Sequence, residues 1–204
     1  MSVSVQQILG FLRAVAPQEL ALDWDNVGLL VDAGQPVDGV LTTLDITPAV
    51  VREAVENDCQ LIVSHHPVIF HPSKSLHADD VPALLMKNGI SAICMHTNLD
   101  IADGGVNDAL MATLGAEVTG GLEPAGTAAD GRTLTCGRVG KLPNPMTMAE
   151  FLPYVAGRLH ANGLRYVDGG LPVERIAVCG GSGGNMLELA AAKGCDTFVT
   201  ADVK

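Results

Sequence analysis

The sequence predicts an α/β protein made of two similar halves, each with a mixed, largely parallel sheet. Three observations carry this. Short apolar runs of strand length alternate with amphipathic runs of helix length, the pattern of βαβ units. Ser, Thr, Pro and Gly punctuate the helical runs at the positions where capping and stopping require them. One strand–helix–strand stretch recurs at a fixed displacement along the chain.

The elements follow in order. Ser4 and Gln7 form a capping box for a first helix, with Ile8, Leu9, Phe11, Leu12 and Val15 as its apolar face and Pro17 as its stop. Residues 22–31 read as a polar loop running into an apolar strand, and residues 39–45 as a buried strand. Thr47 caps a helix that has Pro48 at its first position and runs to about Asn57. Residues 61–64 form a short buried strand ended by His65-His66-Pro67. Residues 81–88 are helical with Gly89 as the stop, and residues 90–95 form a strand leading into His96-Thr97-Asn98-Leu99-Asp100. Residues 107–114 read as a helix. Residues 120–132, rich in Gly, Ala and Pro, read as a loop, and residues 134–142 as a strand. Thr147 and Glu150 form a second capping box for a helix to about His160, although Pro153 and Gly157 count against its interior. Residues 164–167 and 175–178 read as strands.

A displacement of 136 positions lays residues 40–45 on 176–181, residues 48–58 on 184–194, and residues 59–66 on 195–202, with Cys59 meeting Cys195. Two related halves, 1–115 and 116–204, are expected. The plainer account, that any two βαβ units look alike, stays open.

The 204 residues carry 12 basic and 23 acidic side chains, a formal charge of −11. That balance argues against a nucleic-acid backbone as the main partner and favours cations, metal ions included. One Trp, two Tyr and four Phe are too few for single-strand stacking platforms. Apolar residues make up 48% of the chain, enough for an ordinary core. The five cysteines (59, 94, 136, 179 and 195) form no CxxC pair, which fits buried structural thiols in a reducing cytosol better than a disulfide framework or a cysteine zinc site. With no leader and no 18-residue apolar run read, a cytoplasmic protein without a membrane partner is expected.

In parallel sheets ligands sit beyond the carboxyl ends of the strands. His65 and His66 follow one such strand, and Pro67 restricts His66 to extended backbone. Adjacent histidines suit one ion poorly, but at a strand end they can serve two nearby ions. His96 and Asp100 follow the next strand, and a carboxylate can bridge two divalent ions in a hydrolytic clamp. Asp100 reads equally as a helix cap or turn residue. Trp24, the only tryptophan, walls a pocket or plugs the core, and composition favours the core. The glycine-rich turn 180–184 precedes a helix and either presents N–H groups to an anion or serves tight packing. His71, His77 and His160 read as solvated, the first two as outside candidates for a substrate pocket. No GxSxG nucleophile elbow is present.

Taken together, the segments 16–31 with WDNVGL, the strand end TLDIT, SHHPVIF, KSL, HTNLD, GGVND, CGGSGG and TADVK resemble the Nif-three-like dinuclear-metal-centre family, also called GTP cyclohydrolase type 2 homologues. They occur in the family's order and span nearly the whole chain. The resemblance implies two α/β halves with a metal site in the cavity between them, two divalent ions (Zn, Fe, Mn, Ni or Mg), and homo-oligomers, hexamers among them. It makes His65, His66 and Asp100 metal ligands, with Asp100 bridging, and His96 a supporting partner or catalytic proton carrier. Trp24, Asn26, Asn98, Ser182 and Asp202 are the pocket candidates. The family's other two ligands, a His and a Glu, follow the strand matched by TADVK, so a chain shortened at its C-terminus is expected. The implied activity is metal-dependent hydrolysis of a small molecule or nucleotide, opening the imidazole ring of GTP. The rivals are a metal-dependent phosphoesterase and a non-enzymatic metal-binding or regulatory protein.

Overall fold

The computed structural model describes residues 2–128 and 130–203. Lys204, the last residue of the TADVK segment, lies outside the described residues. The chain folds into two compact units, Met1–Leu99 and Asp100–Lys204, where the sequence reading placed the division near residue 115. Each unit has a four-stranded mixed sheet, and the described residues form seven α-helices.

The first unit opens with α1 (Val5–Val15), closed at its start by the expected Ser4–Gln7 capping box. Its strands are β1 (Gly28–Val31), β2 (Val40–Thr43), β3 (Leu61–Ser64) and β4 (Ser91–Cys94), in the order β1-β4-β3-β2. β2, β3 and β4 run parallel, and β1 is antiparallel to β4. The crossovers are α2 (Pro48–Glu56), capped by the Thr47 hydroxyl with Pro48 at its start, and α3 (Val81–Lys87). Val51 and Ala54 of α2 and Leu85 of α3 bury against Ile62, Ala92 and Val31 of the sheet. The short helix α4 (Thr97–Ile101) follows β4.

The second unit contains α5 (Val106–Thr113), β5 (Glu117–Thr127), β6 (Thr133–Met146), α6 (Met148–Leu159), β7 (Val173–Cys179), α7 (Leu187–Ala192) and β8 (Thr197–Thr200). The sheet order is β5-β6-β7-β8, antiparallel except for the parallel pair β7–β8. Strand β7 is covered on both faces. Ile176 and Val178 pack with Met111 of α5, with Leu114 just after it, and with Phe151 and Val155 of α6. Ala177 and Cys179 pack with Leu122, Val139, Met186 and Ala190. This period-two division is what a central strand requires.

Two sequence expectations are corrected. Residues 120–127 are not loop but most of β5, an edge strand. Edge position tolerates Pro124, whose missing N–H breaks no interior ladder, and Gly121 faces Thr135 of β6 with no room for a Cβ. Residues 164–167 are not a strand but exposed irregular chain, with Val167 92% exposed, because no neighbouring strand receives them. The α6 helix forms despite Pro153, held by the Thr147–Glu150 capping box and by burial of Phe151 and Val155.

The repeat is present in the strand register and in the bonds that join helix to strand. β2 pairs with β3 as Val40↔Leu61, and β7 with β8 as Ile176↔Thr197, the same register displaced by 136. The Cys59 amide donates to the Ala54 carbonyl and the Cys195 amide to the Ala190 carbonyl. Gln60 Oε1 accepts the amides of Asp38 and Gly39, and the Asp196 carboxylate accepts those of Glu174 and Arg175. The helices end at left-handed residues in matching positions, Asp58 (φ 52) and Gly194 (φ 74).

Candidate functional site

Strand register assembles the polar cluster in the first unit. β3 and β4 pair as Ser64↔Cys94, so continuing the ladder one and two residues sets His65 beside Met95 and His66 beside His96. β2 and β3 pair as Thr43↔Ser64, which sets Asp45 beside His66. β1 is antiparallel to β4 with Gly28↔Cys94, which brings the loop before β1 alongside Thr97. The sequence thus needs only three parallel strands and one antiparallel edge to collect these groups at one rim.

The backbone there is bracketed. His65 and His66 amides donate to the Thr43 and Leu44 carbonyls, and the Met95 amide to the Ser64 carbonyl. The Ser64 hydroxyl donates to the His66 carbonyl at 2.8 Å. The buried Cys94 thiol donates to the His65 carbonyl at 3.1 Å. Burial, and then the Asp25 charge, push that thiol up to about 12, so it stays protonated.

Each imidazole is anchored through Nδ1 to an oxygen. His65 bonds the Met95 carbonyl at 2.9 Å, His66 the Asp45 carboxylate at 2.7 Å, and His96 the Asp25 carboxylate at 2.8 Å. A carbonyl or carboxylate only accepts, so Nδ1 carries the proton and each neutral ring holds its lone pair on Nε2. The ring centroids lie 5.2, 5.1 and 5.6 Å apart. One ring nitrogen from each of His65, His66 and His96 lies within 4.8 Å of those of the other two.

Asp25 is the most constrained member. Its side chain has no exposed surface. Burial disfavours its charge, but hydrogen bonds from the His96 ring, the Thr97 hydroxyl and amide and the Asn26 amide outweigh that and hold the carboxyl below the ordinary Asp range. An ionised, sealed carboxylate behind a histidine fixes the ring's direction and tautomer.

The structure brings His65, His66 and His96 together. Asp100 lies on α4, four residues after His96, and its carbonyl accepts from Asn107 Nδ2 at 2.9 Å. Trp24 is not in the core as composition favoured: it is 60% exposed, its ring edge-on to His96 at 6.2 Å and to Phe70 at 6.0 Å. Indole makes a usable wall when one face stays wet. Asn26 Nδ2 donates to the Ile69 carbonyl at 2.6 Å, tying the loop before β1 to the segment after His66. Asn98 is 1% exposed and supports the site from beneath: Oδ1 accepts the His96 amide and Nδ2 donates to the Ala16 carbonyl.

In the second unit, Ser182 and Asp202 are exposed. The glycine-rich turn serves packing. The Gly180 amide donates to Asn107 Oδ1 and the Gly183 amide to Thr200 Oγ1, while a Cβ on Gly183 would fall 2.7 Å from that of Cys179. His71, His77 and His160 are exposed, as expected. Asp25, Asp45 and Thr97 were not singled out from the sequence. The signal that could have found them is positional: once the strands are placed in register, Asp45 stands level with His66, and Asp25 stands level with Thr97, the residue after His96.

A cluster of three oriented imidazoles is a donor set for zinc, iron, nickel or similar ions. The family model for Duf34/NIF3 (NGG1p interacting factor 3) matches residues 3–204. Among curated relatives, the GTP cyclohydrolase 1 type 2 homolog of Clostridium acetobutylicum is 33% identical over 99% of this chain and 77% of its own. That of Streptomyces coelicolor is 36% identical over 98% of this chain and 73% of its own. Among solved structures, the Staphylococcus aureus hypothetical protein SA1388 superposes with a TM-score of 0.89 at 30% identity, over 98% of this chain and 79% of that one. A Bacillus cereus protein related to NIF3 gives 0.88 at 25% identity, over 98% and 82%. With the histidine rim, the two mixed sheets and a match over nearly all of its length, the chain belongs to the Duf34/NIF3 family.

Proposed function

We propose that the protein is a divalent-metal-dependent hydrolase in which His65, His66 and His96 would supply imidazole nitrogens, and Asp100 a carboxylate, to two metal ions. The observation that carries this reading is the Nδ1 anchoring of all three rings, which presents neutral nitrogen lone pairs from one rim. The donor set fits the group, since ligating histidines must be neutral and oriented. A bound ion supplies Lewis acidity and lowers the pKa of a coordinated water. The chain's own part is to hold the rings: Met95, Asp45 and Asp25 fix them, Asn98 fixes the His96 backbone, and Trp24 screens one side. The relatives' names point to a purine nucleotide as substrate class, with ring opening as the reaction.

The test is metal analysis of purified protein followed by GTP turnover with and without chelator. Stoichiometric metal, lost with activity in His65→Ala, is expected. Activity unchanged by chelation or by that substitution rejects the mechanism. If free phosphate rather than formate is released, the protein is a phosphoesterase. A second reading rests on the three imidazoles themselves, which suffice to hold one ion without catalysis. Bound metal with no hydrolysis across a nucleotide and phosphoester panel selects it. The same proposal includes a cytoplasmic homo-oligomer, checked by light scattering. No helix among the described residues is long and apolar enough to cross a membrane.

A further inference from the structure

The second unit holds two thiols that the metal chemistry does not use. Cys136 on β6 and Cys179 at the end of β7 place their sulfurs 4.0 Å apart. Regular strand alternation would not do this. Arg138, two residues after Cys136, reaches Asp108 of α5. Cys136 instead packs with Val139, Ala177 and Cys179, on the opposite face. Residues two apart on a strand share a face unless the backbone is reversed between them. The reversal is at Gly137, with φ 76. A Cβ there would lie 2.7 Å from the Val178 carbonyl oxygen and 3.0 Å from Leu122, so only glycine fits. The backbone is thus bent at one residue in a way that turns Cys136 onto Cys179.

We propose that Cys136 and Cys179 are a peroxide-oxidisable pair that closes to a disulfide. Cys136 is partly exposed and Cys179 buried, which separates a reactive sulfur from a resolving one. The Cys136 thiolate attacks one oxygen of hydrogen peroxide. The O–O bond breaks, hydroxide leaves, and Cys136 becomes a sulfenic acid. The Cys179 sulfur then displaces hydroxide from the Cys136 sulfur, its thiol proton completing water. Two thiols are oxidised, one peroxide is reduced, and two waters form. The surroundings divide the roles the same way. A hydrogen bond from Cys179 lowers the Cys136 thiol against the opposing effects of burial and of Asp100 and Glu123, with Arg138 assisting, and the same contact pushes Cys179 far up.

The purified protein, with chelator present to remove metal-driven oxidation, is treated with a small excess of hydrogen peroxide. It is then unfolded in an alkylating reagent and mapped as non-reduced peptides. Loss of two of the five thiols is expected, with a peptide joining Cys136 to Cys179 and recovery on adding dithiothreitol. In Cys179→Ser, Cys136 is expected to form a dimedone adduct. In Cys136→Ser, the four remaining thiols are expected to survive the same dose. Thiol loss without the Cys136–Cys179 peptide overturns the proposal. So does a dimedone adduct on wild-type Cys136 in place of the link, or survival of all five wild-type thiols under that dose. The wild-type map decides the matter even if a variant fails to fold.

Discussion

At the scale of the residue, the decisive atoms are the Nδ1 nitrogens. Asp25 contributes most there, because it is sealed from water and bonded to both the His96 ring and Thr97. Replacing it with asparagine keeps the size but removes the acceptor-only charge that fixes the His96 tautomer. Metal affinity is expected to fall about 10–100-fold in Asp25→Asn, measured by competition with a fluorescent chelator, with the far-UV circular dichroism unchanged. Asp108 gives a separate prediction away from the histidines. Burial opposes its charge, but hydrogen bonds from Arg138 and the Gly104 amide, with the Arg138 charge, hold it below the ordinary Asp range. A carboxyl depressed on folding stabilises above its unfolded value of about 3.9, and that stability is lost as pH falls through the lower folded value. Thermal melts followed downward from about pH 5 should show this loss. The loss should be smaller in Asp108→Asn, which is itself less stable at neutral pH because Arg138 is left buried beside a weaker partner.

At the scale of the element, the parallel strands were legible because their ends are marked by chemistry. HHP and HTNLD fall where β3 and β4 stop, and the Thr47 and Thr147 caps fall where α2 and α6 start. The edge strand β5 was not legible, because its Gly and Pro residues carry loop statistics and its partner β6 supplies the order. The segment 164–167 misled in the other direction: it has strand-like residues and no ladder to join. The site followed the same divide. Its histidines stand in motifs, whereas Asp45 and Asp25 acquire meaning only from register with neighbours far along the chain. The central strand β7 is the element least able to yield. Ile176 is fully buried between β6, β8 and the α5–α6 layer. Ile176→Ala should cost about 2–5 kcal/mol in urea unfolding.

At the scale of the whole molecule, covalent closure between β6 and β7 would restrict the unfolded chain across 43 residues. Loop-closure entropy gives about 4 kcal/mol for a ring of that size. The peroxide-treated protein should therefore melt higher than the reduced protein, and calorimetry of the two forms, followed by reversal with dithiothreitol, checks it.

The duplicated register has a consequence for engineering. Gly181 and Asp202 stand 136 positions after Asp45 and His66, but the two rims part beyond the ladder: the amides of Ala201 and Asp202 both donate to the Gly181 carbonyl, and Gly181 is left-handed at φ 66. One scaffold has thus been furnished twice, once with a histidine and its carboxylate anchor and once without. Gly181→Asp with Asp202→His would put a side chain on that left-handed backbone, and the double variant is expected to melt lower than the parent. An unshifted imidazole Nδ1–H resonance in it would show that a ladder sets a ring's tautomer only where the rim beyond the ladder is repeated as well.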